Sequence, residues 1–410
     1  MKKLVILGAG SAGTMMANHL NKKLDKAEWS ITIIDEYESH YYQPGFLFIP
    51  FGIYKAKDVV RSKHDFIPKG VEFILKRVKT IAAESNTITL ASGETLPYDL
   101  LIIATGAKIN PAETAGLDEG WYKDIFDFYT LEGAKALYER LKTWTGGKMV
   151  VHITELPIKC PVAPLEFSFL ADSWLRKKGL RDKTELIYVT PLSGAFTKPT
   201  SSKALGYLLE EKGIKLVTDF GVMQVDAEKK KLISYDEIEV DYDLLVTIPT
   251  NMGDRMIEES GLGDDLNYVA TDKNTLQSKA YPNVFVIGDA TNIPASKAGS
   301  VAHFEAEILT ENILLFLEGK PLKPDFDGHA NCFIESGNGK ALLIDFNYDV
   351  EPVFGTFPFP IIGPMQLLRE SRLNHIGKMV FKWIYWNMLL RAIPIPLITA
   401  KMSRMGKKIK

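Results

Sequence analysis

Apolar residues along this chain fall into short blocks closed by turn formers, and the blocks alternate with stretches of helical period. Lys3–Leu7 is a short apolar run suited to a buried parallel strand. Gly8-Ala9-Gly10-Ser11-Ala12-Gly13 interrupts it, Thr14–Lys23 predicts a helix, and Ser30–Ile34 predicts a second strand ending in Asp35. Val71–Ile103 predicts several short strands with turns at Asn86 and Ser92-Gly93, closing on Ala104-Thr105-Gly106. Lys148–Thr154 predicts another strand, followed by a helix that runs to about Lys178. Asn283–Ile287 is a strand entering Gly288-Asp289-Ala290. This alternation predicts an α/β fold. Met1-Lys2-Lys3 ahead of Leu4–Leu7 looks briefly like a signal peptide, but the run is short and ends in glycines, so it reads as a strand entering a turn.

Composition narrows the possibilities. A chain of 410 residues implies two domains or more, and 46% hydrophobic with 24% charged residues is ordinary for a globular protein. The net charge of −2 offers no field for nucleic acid. Two cysteines, Cys160 and Cys332, are too few for a disulfide scaffold, and with no nearby Cys/His cluster no metal is expected. No stretch is long and apolar enough to span a membrane.

The chemistry begins at the N-terminal loop. In a strand–GxGxxG–helix unit Gly8 makes the tight turn, Gly10 lets the backbone approach a pyrophosphate, and Gly13 lets helix and strand pack closely. The helix N-terminus faces the phosphates, and Asp35 can accept from a ribose hydroxyl. The strand at Lys148–Thr154 has no such loop after it. Glu155-Leu156-Pro157-Ile158-Lys159-Cys160-Pro161 cannot bring a backbone close to a second pyrophosphate, which argues against a nicotinamide substrate and an NADH:quinone oxidoreductase. Cys160 lies near a helix N-terminus beside Lys159, a setting that lowers a thiol pKa and favours thiolate; a small buried apolar residue is the commoner fate of a free cysteine.

The GxGxxG, Ala-Thr-Gly and Gly-Asp segments together resemble the two-dinucleotide-binding-domain flavoproteins over nearly the whole chain. Lys159-Cys160-Pro161-Val162-Ala163-Pro164-Leu165-Glu166-Phe167 resembles the sulfide:quinone oxidoreductases and the related flavocytochrome c sulfide dehydrogenases. The resemblance implies FAD held by Gly8, Gly10, Ser11, Ala12, Gly13, Asp35, Pro44, Val78, Thr105, Gly106, Gly288, Asp289 and Lys297. It implies that Cys160 and Cys332 form the redox pair; the resemblance leaves open which one faces the flavin, and Cys160 is taken as the flavin-facing thiolate with Cys332 as the sulfur carrier. The family usually has Glu where Asp35 stands. Many members carry a third cysteine before Lys148, sometimes attached to FAD; this chain has none, so FAD is expected not to be cysteine-linked. His40-Tyr41-Tyr42-Gln43-Pro44-Gly45 and Tyr385-Trp386-Asn387-Met388-Leu389-Leu390-Arg391 are most similar to the two-cysteine, mitochondrial-type subgroup. Glu166 reads equally as a proton acceptor and as a carboxylate at a helix N-terminus. The resemblance sets Lys297 near the flavin or the quinone, where a cation stabilises an anionic reduced flavin; otherwise it is a surface lysine. His303 is expected to be structural.

From Arg369 onward basic residues far outnumber acidic ones and aromatic residues are frequent, with Pro394 and Pro396 limiting any helix. Short helices, apolar on one side and basic on another, suit an anchor on anionic lipid, a peripheral (monotopic) attachment; a core-packed helix with a solvated basic face is the other reading. Phe346, Phe357, Phe359 and Lys297 are the candidate quinone contacts. The expected architecture is two Rossmann-like dinucleotide-binding domains, each of three ββα layers, plus a C-terminal amphipathic membrane-binding segment. The FAD domain is expected at 1–115 and 281–330, a degenerate NAD-like domain at 116–280, and a redox, quinone and anchoring region at 331–410. The partners are then sulfide, quinone and the lipid surface, on the cytoplasmic side given the lack of a signal peptide; a homo-oligomer is compatible with the chain. The rivals are NADH:quinone oxidoreductase-like and flavocytochrome c sulfide dehydrogenase-like flavoproteins and a non-catalytic membrane flavoprotein.

Overall fold

The computed structural model describes residues 1–359 and 363–407. In chain order its main elements are β1 (Lys2–Leu7), α1 (Ser11–Lys23), β2 (Trp29–Asp35), β3 (Val71–Leu75) and β4 (Leu100–Ile103). There follow β5 (Ile125–Phe126), α2 (Leu131–Lys142), β6 (Gly147–Ile153), α3 (Ala163–Lys178), β7 (Thr184–Val189), α4 (Pro199–Glu211), β8 (Lys215–Val217) and β9 (Leu244–Ile248). The chain then forms β10 (Val284–Val286), α5 (Gly299–Leu317), β11 (Ala330–Gly337), β12 (Lys340–Phe346), β13 (Gly355–Phe357), β14 (Met365–Leu367) and α6 (Arg372–Ile384).

Two parallel five-stranded sheets result, ordered β10-β4-β1-β2-β3 and β5-β9-β6-β7-β8. Strands covered on both faces must be apolar throughout, and Leu4–Leu7, Leu100–Ile103 and Leu244–Ile248 are fully buried. On one face of the first sheet a three-stranded antiparallel meander (Val78–Ala82, Thr87–Leu90, Thr95–Pro97) packs Ile81, Ile88 and Leu90 against Val5, Leu7 and Leu101. The second sheet carries a similar meander at Val222–Asp226, Lys231–Ser234 and Glu239–Asp241. Helices cover the opposite faces, so each unit has the expected three layers. In the C-terminal sheet, ordered β11-β12-β14-β13, β11 and β12 pair antiparallel with Cys332 opposite Ile344. That hairpin packs on α3, and α6 packs on the hairpin in turn. Cys332 and the segment after Cys160 are thereby brought to one place.

Candidate active site

The first helix starts at Ser11, earlier than its apolar period indicates, because the glycine loop runs straight into it. Gly8 has φ +94°, and a Cβ there would lie 2.5 Å from the Ala104 carbonyl oxygen. A Cβ on Gly13 would lie 1.8 Å from the Gly8 oxygen, so only glycine lets the helix sit on its own loop. Gly10 is different: a Cβ there would meet nothing within 4 Å, because this glycine borders an open cleft. The cleft, of ≈ 890 Å³, is lined by Gly8, Gly10, Ser11, Asp35, Val78 and Thr105 among others. A bare backbone at a helix N-terminus, bordering a cleft of this size, fits the pyrophosphate of a dinucleotide. Ala12, Gly13, Pro44 and Gly106 do not line the cleft; Gln43, beside Pro44, does. Asp35 is already engaged: its carboxylate accepts from the Ala9 N–H at 2.7 Å and the Tyr37 N–H at 2.9 Å, and pairs with Lys63 at 2.6 Å. It therefore braces the loop as well as facing the cleft. Lys63 carries no sequence signal for that role.

Gly288, Asp289 and Lys297 line a separate, narrow, enclosed space. Glu305 accepts the Gly288 N–H at 2.7 Å, and burial pushes its carboxyl up to about 7. Lys297 is buried: Nζ donates to the Asp289 and Thr291 carbonyls at 2.9 and 2.6 Å and lies 3.9 Å from the Tyr268 ring centroid. Burial pulls its pKa down against the raising effect of Asp289. The Lys297 carbonyl accepts the Cys160 N–H at 2.7 Å, which ties the Gly-Asp segment to the cysteine loop.

Cys160 adopts the left-handed conformation, φ +73°, in the loop between β6 and α3. Its carbonyl accepts the Ala163 N–H at 2.8 Å and the Tyr129 hydroxyl at 3.2 Å. Cys332, on β11, lies 3.9 Å from Ser300 Oγ. Both are free thiols. The expected easy thiolate at Cys160 is overturned: burial drives its pKa well up, and the negative charge of Glu166 adds to the rise. The helix begins three residues later, and the Lys159 ammonium turns instead to the Gln43 side chain at 3.4 Å. Burial also pushes Cys332 up, to about 11, with Ser300 and Lys378 opposing.

The cation whose charge lowers the pKa of both thiols is one that its sequence context assigned to the tail. Lys378 on α6 pairs with Glu166, whose side chain is 1% exposed, and donates to the Phe333 carbonyl at 3.0 Å. Burial raises Glu166 and Lys378 counters it; Lys378 is itself raised, because Glu166 and Cys160 outweigh its desolvation. Glu166 also accepts the Glu335 N–H at 2.7 Å. It is thus more than a carboxylate at a helix N-terminus.

The tail needs further correction. Tyr385, Trp386, Leu389 and Leu390 are buried rather than presented outward. Trp386 stacks on Phe66 with 5.1 Å between centroids, under Arg61 at 4.8 Å. Tyr385 Oη bonds Ser11 Oγ at 2.6 Å and His40 Nε2 at 2.7 Å. Lys407 is buried too, paired with Asp345 at 3.0 Å. The exposed apolar side chains of α6 are instead Leu373 (51%), Ile376 (53%), Val380 (46%) and Trp383 (60%), one stripe at helical spacing. No helix among the described residues is long and apolar enough to cross a membrane. Phe346 is buried at the end of β12, 5.7 Å from Lys198 Nζ; Phe357, at the end of β13, and Phe359 are partly buried. His303 is buried, with Nδ1 unpartnered and Nε2 3.7 Å from Glu307.

A glycine loop on a parallel sheet, a second such sheet without one, and two partly buried thiols, one in the loop after a strand of the second sheet and one on the C-terminal hairpin packed on α3, define a flavin-dependent oxidoreductase of the two-dinucleotide-fold class. Residues 2–151 match the pyridine nucleotide-disulphide oxidoreductase family, which implies FAD. The chain is similar to sulfide:quinone oxidoreductases over nearly its whole length. It is 28% identical over 398 residues to the mitochondrial sulfide:quinone oxidoreductase of Mus musculus, spanning 95% of this chain and 86% of the relative. The mitochondrial enzyme of Dictyostelium discoideum is 29% identical over 396 residues, with the same coverage. The solved sulfide:quinone oxidoreductase from the hyperthermophilic bacterium Aquifex aeolicus superposes with a TM-score of 0.77 at 22% identity, covering 94% of this chain and 92% of that one, which shows the shared fold.

Proposed function

We propose that this protein oxidises sulfide and reduces quinone, with Cys160 and Cys332 as its redox pair. The observation that carries the reading is the cysteine geometry. The chain's two cysteines, far apart in sequence, are both partly buried free thiols, and both lie in the field of one Glu166–Lys378 pair. In this reading residues 1–115 and 281–330 form the FAD domain, 116–280 the degenerate second domain, and 331–410 the redox and anchoring region. Gly8, Gly10, Ser11 and Thr105 hold the pyrophosphate side of FAD, Asp35 and Val78 its adenosine end, and Asp289 and Lys297 the side toward the cysteines. FAD, when bound, supplies a two-electron carrier between the thiols and quinone.

The protein's own groups do the rest. Hydrosulfide attacks one sulfur of the oxidised pair; the S–S bond breaks, leaving a persulfide on Cys332 and a thiolate on Cys160. A nucleophilic acceptor, such as a small thiolate, takes the outer sulfur. The pair closes again, giving up two electrons that reduce quinone with two protons. The balance is hydrosulfide plus acceptor thiolate plus quinone plus two protons, yielding acceptor persulfide and quinol. Lys378 stabilises the thiolates that burial disfavours. The glycine-free loop Glu155–Pro161, between β6 and α3, keeps a nicotinamide dinucleotide out of the second domain. Phe346, Phe357, Phe359 and Lys297 are the proposed quinone contacts. The stripe from Leu373 to Trp383, flanked by Arg372 and Arg391, attaches the protein peripherally to lipid, where a lipid-soluble quinone is found.

The test is anaerobic flavin absorbance during titration of the holoenzyme with sulfide, followed by a soluble quinone. Bleaching that reverses on quinone addition, and is lost in Cys160→Ser, is expected. Bleaching by NADH but not by sulfide overturns the reading in favour of an NADH:quinone oxidoreductase, and silence to both favours a non-catalytic flavoprotein.

A further inference from the structure

Closing two thiols to a disulfide releases two protons, and making quinol consumes two. Both cysteines are partly buried, and ionisable groups of the protein beside them offer those protons a path. A line of ionisable side chains leads outward from them. Glu166 and Lys378 form its inner end, in contact with each other, and the charge of each acts on both thiols. Lys378 also bonds the carbonyl of Phe333, the residue after Cys332, at 3.0 Å. Glu335 comes next on β11. Its N–H donates to Glu166 at 2.7 Å, its carboxylate is 1% exposed, and its charge acts on Lys378. That carboxylate meets His375 Nδ1 at 2.8 and 3.0 Å, and the His375 side chain is 31% exposed. His375 and Lys378 are three residues apart on α6, so one turn of that helix carries both the inner and the outer end.

We propose that Glu166, Lys378, Glu335 and His375 form a proton relay between the cysteine pair and water, with His375 as its outer port. This rests on the cysteine pair being the redox centre. The competing account is that the same bonds merely staple α6 to α3 and β11. A staple and a relay differ in one respect: only a relay can be bypassed by a small diffusible proton carrier.

The experiment uses the full-length holoenzyme in a bulky buffer. His375→Ala is expected to slow sulfide-to-quinone turnover by about 10²-fold, the low end for a positioned proton-transfer group, with the KM for sulfide unchanged. Added imidazole is expected to restore most of the rate. Glu335→Gln is expected to slow turnover similarly without rescue, because the break is deeper. A second readout needs no sulfide: infrared S–H bands of the reduced pair followed after transfer to deuterium oxide. Exchange is expected to slow in both variants and to recover with imidazole only in His375→Ala. Unchanged exchange, or loss of rate that imidazole leaves untouched in His375→Ala, overturns the relay. Normal relay behaviour in the exchange assay with no sulfide turnover in the wild type overturns the sulfide reading instead.

Discussion

Replacing Lys378 by Met removes the cation from a carboxylate that is 1% exposed. Glu166 then keeps the Glu335 N–H at 2.7 Å as its remaining backbone partner. Removing one member of a buried ion pair costs about 3–5 kcal/mol, because the other charge stays behind without compensation. Glu166 escapes part of that cost by taking a proton, so the penalty depends on pH. Its folded pKa is already raised by burial against the pull of Lys378, and losing Lys378 raises it further. A carboxyl whose folded pKa lies above its unfolded value favours the folded state below the unfolded pKa. That advantage is lost as pH rises toward the folded pKa, by at most about 1.4 kcal/mol per pH unit. Lys378→Met is therefore expected to be closer to wild type at about pH 5 than at about pH 8. Adding Glu166→Gln removes the orphaned charge and is expected to recover most of the loss. Urea midpoints of the holoprotein at the two pH values, for both single variants and the double, measure this. Equal midpoints for Lys378→Met and wild type at the higher pH would refute the argument, as would a double variant no more stable than Lys378→Met.

Two further outcomes are expected. Gly13→Ala places a methyl 1.8 Å from the Gly8 carbonyl, so the loop must move; the purified variant is expected to lose flavin absorbance on desalting while retaining its helical circular dichroism. Ile376→Glu with Val380→Glu charges the exposed stripe of α6 at two side chains that are about half in solvent; co-sedimentation with anionic vesicles should fall at least tenfold with the thermal midpoint unchanged.

The parts of the site that the chain announces are those built from neighbours in sequence. Gly8–Gly13 is legible because one turn needs all its glycines at fixed spacing, and its conformational demands appear directly in φ and in the missing Cβ atoms. The same holds for the missing second loop after Lys148–Thr154. What stays hidden is built across the fold. Glu166 and Lys378 stand 212 residues apart, and nothing near Lys378 distinguishes it from the other basic residues of the tail. The environment of Cys160 is misread for the same reason. A helix N-terminus and an adjacent lysine are local signals for a low pKa, whereas the desolvation that outweighs them belongs to the folded chain and not to neighbours in sequence. His375 and Glu335 likewise meet only because α6 lies against the hairpin.

The bonds of Tyr385 carry a consequence for how the protein is held together in use. One hydroxyl from the C-terminal segment grips Ser11, the first residue of the helix after the nucleotide loop, and His40 through Nε2. The segment that ends in Tyr385 begins with the exposed stripe, so a single stretch of chain reaches from the outer surface to the mouth of the cofactor cleft. Coupling of this kind is reciprocal. A truncation ahead of Tyr385 would loosen the grip on the nucleotide as well as detach the tail, and loading the nucleotide would in turn hold the tail in its seat. Release of the tail and loss of colour should therefore arrive together.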